Sequence, residues 1–227
     1  MSTTGETSGT GPTSTVNTTN TVRDLMATGR PLTWVFAGDS ITQGVQHTHG
    51  QRCWAEHVTE RIRWGLGRPF DVCINTGIAG WTAQAVWRHL DHLVTRFAPD
   101  VVSVALGMND CCEGPAGRAG FAEALGEIAD GILELGTGAR PVALVLHTPN
   151  TIATGSWNDP VEVGAYAGIV RELAAHTGAQ LVDHHAYWSE RFGGRPAWDW
   201  LDEPVHPNAA GHRAMAELTA RTLGLDG

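Results

Sequence analysis

Short apolar runs alternate along this chain with segments whose apolar residues recur every three or four positions, and this alternation limits the possible folds most. The runs have the length of buried strands and lie at residues 32–37, 70–74, 101–106, 142–146 and 180–183. Strands that alternate with helices pair in parallel through right-handed crossovers. The runs are also continuously apolar, as expected when helices cover both faces of a sheet. The sequence therefore predicts an α/β fold, a three-layer α/β/α sandwich around a mostly five-stranded parallel sheet.

The size of the chain fits a single domain. It has 227 residues, of which 42% are hydrophobic, and a chain of this kind can bury one compact core. Residues 1–18 are rich in Ser, Thr and Gly and have too few large apolar side chains to offset the entropy of ordering. We therefore expect a disordered tail over residues 1–18 and a single domain over residues 19–227.

Charge and composition bear on partners and location. The formal net charge of −9 repels phosphate backbones and anionic lipid, so neither nucleic acid nor a membrane is an expected partner. The apolar runs are far shorter than the roughly 20 residues that cross a bilayer. The N-terminus has neither the basic nor the apolar segment of a secretory signal, and four cysteines are too few for a disulfide scaffold. These features predict a cytoplasmic protein and do not fix its oligomeric state.

Three motifs follow predicted strands, at the edge where parallel sheets bind ligands. Ser40 follows the first strand in Gly-Asp-Ser-Ile, Gly80 lies in the turn after the second strand, and Asn109 lies in Gly-Met-Asn-Asp after the third. Each motif alone has an ordinary structural explanation, because Asp-Ser caps helices and Gly and Asn-Asp form turns. Their convergence on one edge is what indicates a site.

A histidine near the C-terminus supplies the missing base. His206 precedes the last predicted helix, and two carboxylates lie three and four residues before it. A serine hydroxyl becomes a nucleophile when a base removes its proton, and an imidazole has a suitable pKa near neutral pH. The pattern predicts Ser40 as nucleophile and His206 as base. The predicted oxyanion donors are the N–H groups of Ser40 and Gly80 and the side-chain amide of Asn109.

These motifs resemble those of the SGNH hydrolases, also called GDSL esterases and lipases, over residues 32–215. Residues 38–41 are similar to the first family block, with Ile41 in place of Leu, and Gly80 is similar to the second-block glycine. Residues 107–110 match the third block, and His206 with the Pro-Asn that follows it matches the fifth. The resemblance implies a flavodoxin-like α/β/α fold and ester hydrolysis through an acyl-serine, without a metal or organic cofactor.

The carboxylate partner of His206 departs from the family pattern, which has Asp three residues before the histidine. Glu203 occupies that position here, and Asp202 lies one residue earlier. Glu203 reaches the imidazole if the turn shifts slightly, whereas Asp202 reaches it if the turn carries one extra residue. Both are candidate orienters of the imidazole, with Glu203 favoured. A backbone carbonyl in place of either is the third alternative.

Residues beside these motifs are expected to contact the substrate. Asp39, Trp81 and Asp110 adjoin the predicted donors, and His147 closes the fourth strand. The sequence His-Thr-His at residues 47–49 has no nearby acidic or cysteine partner, so it predicts a loop near the nucleophile rather than a metal site. Tryptophans in the loops before His206 either stack on a sugar or acyl chain or close a hydrophobic cluster. They are Trp157, Trp188, Trp198 and Trp200.

Three functional hypotheses follow. The first is a carboxylic ester hydrolase for short acyl groups, such as acetate, on a sugar or small natural product. The second is an acyltransferase with the same serine chemistry, which product analysis with acceptor alcohols would distinguish from a hydrolase. The third is a non-catalytic binding module, supported only by the unusual Glu203. Stoichiometric labelling of Ser40 by a fluorophosphonate would argue against the third.

Overall fold

The computed structural model describes residues 21–155 and 158–226. The tail predicted at residues 1–18 lies outside the described residues, as do Trp157 and residues 19, 20 and 227 at the ends of the predicted domain.

Within the described residues, five strands form one parallel sheet in the order β2-β1-β3-β4-β5. This confirms the predicted fold class, and the ends of the observed strands differ from those of the predicted runs by at most two residues. Buried apolar side chains line both faces of the central strands, which explains why these segments carry uninterrupted apolar runs. The strands are β1 (Thr33–Gly38), β2 (Val72–Asn75), β3 (Val101–Ala105), β4 (Ala143–His147) and β5 (Gln180–Val182).

Helices cover both faces of the sheet. Helix α3 packs against α9, while α4 packs against α6 and α6 against α7, and right-handed crossovers place these two groups on opposite faces. The helices within the described ranges are α1 (Val22–Ala27), α2 (Ser40–Gln43), α3 (Trp54–Glu60), α4 (Ala83–Arg88), α5 (Leu90–Leu93), α6 (Gly114–Leu133), α7 (Pro160–Thr177), α8 (His184–Phe192) and α9 (Ala209–Leu223). None of them is both long and apolar enough to cross a membrane.

Two helical regions differ from the sequence prediction. The apolar period over residues 86–97 predicts one helix, but the chain forms α4, α5 and a 3₁₀ turn at Thr95–Phe97 there, ending at Ala98 with a φ of 45°. Helix α8 was not predicted. Asp183 caps it by accepting a hydrogen bond from the N–H of Ala186 at 3.0 Å, so an Asp directly before the segment at residues 184–192 was its signal.

The strand order positions the site. Connections from β1 and β3 leave toward opposite sides of the sheet, so a crevice forms between their carboxyl ends. The first motif follows β1, the third follows β3, and the second follows β2, the other neighbour of β1. Three segments far apart in sequence therefore meet at one rim.

Candidate active site

Ser40 lies at the junction of β1 and α2. Strand β1 ends at Gly38, and Asp39 caps the helix by accepting a hydrogen bond from the N–H of Ile41 at 3.0 Å. Ser40 is the first residue of α2, and a helix leaves its first N–H groups without an intrahelical acceptor. The cap thus fixes the hydroxyl and an outward N–H of Ser40 at the same rim.

His206 reaches Ser40 across 166 positions of sequence. The Nε2 atom of His206 lies 2.9 Å from the Oγ of Ser40, and its Nδ1 atom lies 2.5 Å from Oε1 of Glu203. An ionised carboxylate only accepts hydrogen bonds. Nδ1 therefore carries the ring proton, and Nε2 is left to accept the proton of the Ser40 hydroxyl.

Glu203 folds back on its own turn, which is how its longer side chain fits. Its Oε1 atom also accepts the backbone N–H of His206 at 2.6 Å and that of Val205 at 3.1 Å. Burial acts to raise the pKa of Glu203, but the hydrogen bonds from His206 outweigh burial and lower it. Burial lowers the pKa of His206 and overcomes the opposing effect of Glu203. The geometry thus pairs an ionised carboxylate with a neutral imidazole.

The loop that carries this pair is anchored at both ends. The N–H of Asp202 donates to the carbonyl of His206 at 2.9 Å, and Leu201 forms an antiparallel bridge with Pro207. The carbonyl of Pro204 accepts a 2.8 Å hydrogen bond from Ala153. The imidazole is therefore held by a closed turn rather than by a free loop.

The second and third motifs contact each other at the sheet edge that also carries Ser40. Gly80 is exposed with a φ of 78°, a conformation that favours glycine, and the N–H of Trp81 closes the turn on the carbonyl of Ile78 at 3.2 Å. One N–H of the Asn109 amide donates to the carbonyl of Trp81 at 3.0 Å, which orients the side chain and leaves its second N–H for another acceptor.

Close packing against α2 fixes the turn that bears Gly80. A Cβ atom on Gly77 would lie 2.5 Å from the backbone nitrogen of Gln43 and 3.0 Å from the carbonyl oxygen of Asp39, so only glycine fits. The Gln43 side chain accepts the N–H of Ala79 at 2.7 Å. Sequence reasoning did not single out Gly77 or Gln43.

Asp39 and Asp110 were expected to contact the substrate, but both are buried in the framework. They are 3% and 7% exposed. Asp39 caps α2, and Oδ1 of Asp110 accepts the N–H of Ala83 at the start of α4 at 2.8 Å. Burial raises the pKa of Asp39 to about 7 and that of Asp110 to about 6. Trp81 is half-buried at the rim, and its ring packs 5.2 Å from that of His89.

His147 lies in the core and not at the expected pocket. It is 1% exposed, and its ring nitrogens lie 2.6 Å from Oγ of Ser103 and 3.0 Å from Nε2 of His184. Its ring packs 4.8 Å from that of Trp54 of α3. Side chains alternate between the two faces along a strand, and at His147 this alternation points the ring under the helix layer.

Asp202 does not contact the His206 ring nitrogens, which answers the question that the sequence left open. Its carboxylate lies 3.0 Å from Nδ1 of His47 and 2.7 Å from Nε2 of His49. The loop of residues 47–49 thus lies near Ser40, as predicted. The ring of His47 stacks on that of His206, with 4.0 Å between centroids and 12° between planes.

His47, Glu203 and His206 each bring a potential metal-ligating atom within 4.8 Å of the others. A metal ion binds an imidazole nitrogen along a lone pair in the plane of the ring. Because the two rings are stacked and nearly parallel, one ion cannot lie in both planes unless the stack opens. The arrangement fits hydrogen bonding better than metal coordination.

The tryptophans before His206 mostly close a hydrophobic cluster. Trp188 is fully buried, and the ring of Trp200 lies 5.1 Å from it and 4.9 Å from Phe192. Trp198 is 51% exposed. Of the described tryptophans in these loops, Trp198 is therefore the one that offers a free face.

The fold is a flavodoxin-like α/β/α sandwich, and Ser40, His206 and Glu203 are in contact at the carboxyl edge of its sheet. The GDSL-like Lipase/Acylhydrolase family model matches residues 36–214, and the chain belongs to this family. It is a carboxylic ester hydrolase.

Known relatives agree with this class. The chain is 26% identical to an acetylxylan esterase from Geobacillus stearothermophilus over 211 residues, which cover 85% of this chain and 94% of the relative. The solved structure of that esterase superposes with a TM-score of 0.66 at 24% identity, over 85% and 94% of the two chains. An alpha/beta hydrolase enzyme from the metagenome of Lake Arreo, Spain, superposes with a TM-score of 0.72 at 18% identity, over 86% and 96%. Solved catalytic mutants of the Geobacillus esterase include a serine, an aspartate and a histidine, the aspartate three residues before the histidine.

Proposed function

We propose that the protein hydrolyses short-chain carboxylic esters, such as acetyl esters of a sugar or small natural product, through an acyl-Ser40 intermediate. The observation that carries this proposal is the continuous chain of contacts from Ser40 Oγ to His206 Nε2 and from His206 Nδ1 to Glu203 Oε1, at 2.9 and 2.5 Å. Nucleophile, base and orienting carboxylate are aligned in the order that acyl transfer requires.

Acylation begins when Nε2 of His206 takes the hydroxyl proton as Oγ of Ser40 attacks the ester carbonyl carbon. The carbonyl electron pair moves to oxygen and forms a tetrahedral oxyanion. Glu203 stabilises the imidazolium that forms, because its carboxylate accepts the Nδ1 proton. The oxyanion then collapses, the C–O bond to the alcohol breaks, and the imidazolium gives its proton to the departing alkoxide. Water then attacks the acyl carbonyl carbon while His206 takes its proton. The second oxyanion collapses, the bond to Ser40 Oγ breaks, His206 returns the proton to Oγ, and the carboxylic acid is released.

The oxyanion is stabilised by three donors from three strand ends. These are the N–H groups of Ser40 and Gly80 and the second N–H of the Asn109 amide. Each is fixed before the reaction, by the Asp39 cap, by the turn at residues 78–81 and by the hydrogen bond from Asn109 to Trp81. Preorganised donors of this kind are typically worth a few kcal/mol each.

The substrate class is inferred from the relative and from two tryptophan side chains that are not fully buried. The similar Geobacillus protein is an acetylxylan esterase, and its catalytic aspartate has the same three-residue spacing to histidine as Glu203 has to His206. The half-buried Trp81 and the exposed Trp198 give indole surfaces of the kind on which sugar rings stack.

The test is a panel of esters that varies acyl length and alcohol, assayed with the wild type and with Ser40→Ala. We expect acetyl esters to be cleaved fastest and the variant to lose nearly all activity. A Ser40→Ala variant that retained full activity would overturn the proposal. Formation of a new ester, rather than free acid, in the presence of an acceptor alcohol would identify an acyltransferase instead.

A further inference from the structure

We propose that His47 is a positioning residue for His206 and that Asp202 holds His47 in this role. The proposal rests on the function proposed above, because it assigns a helper to the base of that mechanism. The observation behind it is a second histidine–carboxylate pair, His47 with Asp202, whose imidazole stacks on the imidazole of the first pair, His206 with Glu203.

The ring of His47 restrains the plane of the His206 ring. Hydrogen bonds at Nδ1 and Nε2 direct the His206 ring, but small rotations about its Cβ–Cγ bond still tilt the ring plane, because hydrogen bonds tolerate modest bending. The ring of His47 lies across one face of His206 at 4.0 Å and 12°, and this contact opposes the tilt. The bond from His47 Nδ1 to Asp202 Oδ2, at 3.0 Å, fixes the plane of the His47 ring in turn.

The loop that carries His47 contains two unusual backbone conformations. Gln46 and His49 have φ values of 48° and 49°, and such left-handed conformations are costly for residues other than glycine and persist where the surroundings enforce them. The carboxylate of Asp202 bonds to both His47 and His49. Asp202 thus fastens this loop to the turn that carries His206.

The exposure of the side chains indicates which of the two hydrogen bonds to Asp202 contributes more to holding the loop. The side chain of His49 is 72% exposed, whereas those of His47 and Asp202 are 21% and 26% exposed. Exposed ion pairs contribute little because water screens them. The His47–Asp202 bond is therefore the one expected to hold the stack.

The stack also affects the protonation of His206. The titratable groups that face it are His47, Asp202, Glu203 and His212, and His49 lies behind Asp202. Burial lowers the pKa of His206, the hydrogen bond that its ring donates to Glu203 opposes this, and the nearby His47 lowers it further. Removal of the His47 ring exposes one face of His206 and removes one lowering effect, so its pKa should rise.

The test compares His47→Ala, which removes the ring, with His47→Phe, which keeps a flat ring but loses the bond to Asp202. His176→Ala removes an exposed histidine at the end of α7 and serves as the matched control. Two readouts are used. The first is the NMR titration of the His206 ring, and the second is kcat and KM for an acetyl ester as a function of pH.

We expect His47→Ala to raise the pKa of His206 by about half a unit or more, to move the acid limb of kcat/KM to higher pH, and to lower kcat about tenfold with little change in KM. His47→Phe should recover the part of the kcat loss that is due to stacking, and the loss that remains reflects the missing bond to Asp202. A His47→Ala variant whose kcat and His206 titration match those of His176→Ala would overturn the proposal, as would a His47→Phe variant no better than His47→Ala.

The two proposals fail separately. The NMR titration needs no ester, so it tests the stack even if Ser40→Ala proves that another residue is the nucleophile. His47→Phe keeps a flat ring at this half-buried position, so it remains informative if His47→Ala does not fold.

Discussion

Oε1 of Glu203 accepts both the backbone N–H and the ring N–H of His206, at 2.6 and 2.5 Å. One oxygen therefore sets the conformation of the turn and the tautomer of the base that the turn carries. Asp202, one residue earlier, faces the other way and bonds to the two histidines of the loop at residues 47–49. Neighbouring carboxylates thus have separate partners.

This separation predicts different effects for the two acids. Glu203→Gln should lower kcat by about a hundredfold or more, because the amide no longer stabilises the imidazolium or enforces the Nδ1 tautomer. Asp202→Asn should lower kcat much less, since the Asp202 side chain does not contact the His206 ring and acts on it through His47 and through its charge. Steady-state kinetics of both variants check this. Equal losses in the two variants would contradict the assignment of Glu203 as the orienter.

The oxyanion donors predict a transition-state effect. Asn109→Ala removes one donor and should lower kcat by about 10²–10³-fold with little change in KM. The same variant loses the bond to the Trp81 carbonyl, so its melting temperature must be measured beside the kinetics. A normal kcat in a well-folded Asn109→Ala variant would exclude the side chain from the oxyanion hole.

The close approach of Gly77 to α2 predicts a coupled loss of stability and rate. In Gly77→Ala the new methyl group meets backbone atoms of Gln43 and Asp39, which cannot move without displacing Ser40. We expect about 1–3 kcal/mol lower stability and a lower kcat, measured by urea unfolding and ester hydrolysis.

A second glycine gives the control for this variant. Gly168 lies inside α7, and a Cβ atom there meets nothing within 4 Å. Gly168→Ala should be neutral or stabilise the protein by up to about 1 kcal/mol. If the two variants behaved alike, the packing argument for Gly77 would fail.

The buried histidine pair predicts a dependence of stability on pH. Burial lowers the pKa of His184 to about 3 and also lowers that of His147, whereas both titrate near 6.5 when unfolded. The unfolded chain therefore binds more protons between about pH 6.5 and 3, and stability is lost as the pH falls through this window. Each such proton contributes a slope of about 1.4 kcal/mol per pH unit.

His184→Leu isolates this contribution. Its free energy of unfolding should fall less steeply than that of the wild type between pH 6.5 and 4.5, by about one proton. Asp39 and Asp110, whose raised pKa values act in the opposite sense, are unchanged in the variant and cancel in the comparison. Identical slopes in urea titrations of the two proteins would show that His184 is not buried in its neutral form.

The sheet could be predicted from sequence because each strand is marked by an apolar run within a few neighbouring residues. Each apolar run identified a strand, and the parallel order brought Ser40, Gly80 and Asn109 to one rim as expected. His147 shows where local information ends. The end of its strand was located within a residue, but the direction of its side chain depends on which face the pleat presents, and a shift of one residue reverses that direction.

The partners of Asp202 could not be read from the sequence. His47 lies 155 residues away from it, and nothing in a His-Thr-His segment indicates which distant carboxylate it meets. The conformation of the turn at residues 202–206 decided between Glu203 and Asp202. That turn is set by hydrogen bonds to its own backbone and to Ala153, which no local pattern encodes.

Because all of the proposed chemistry lies at the carboxyl ends of the strands, the opposite end of the sheet is available for attachment. Residues 137–140 are exposed and immediately precede β4 on that side. A tether or fused domain joined there would leave Ser40 and its partners facing solvent, so the enzyme could be immobilised on a support in an orientation that keeps its entrance open.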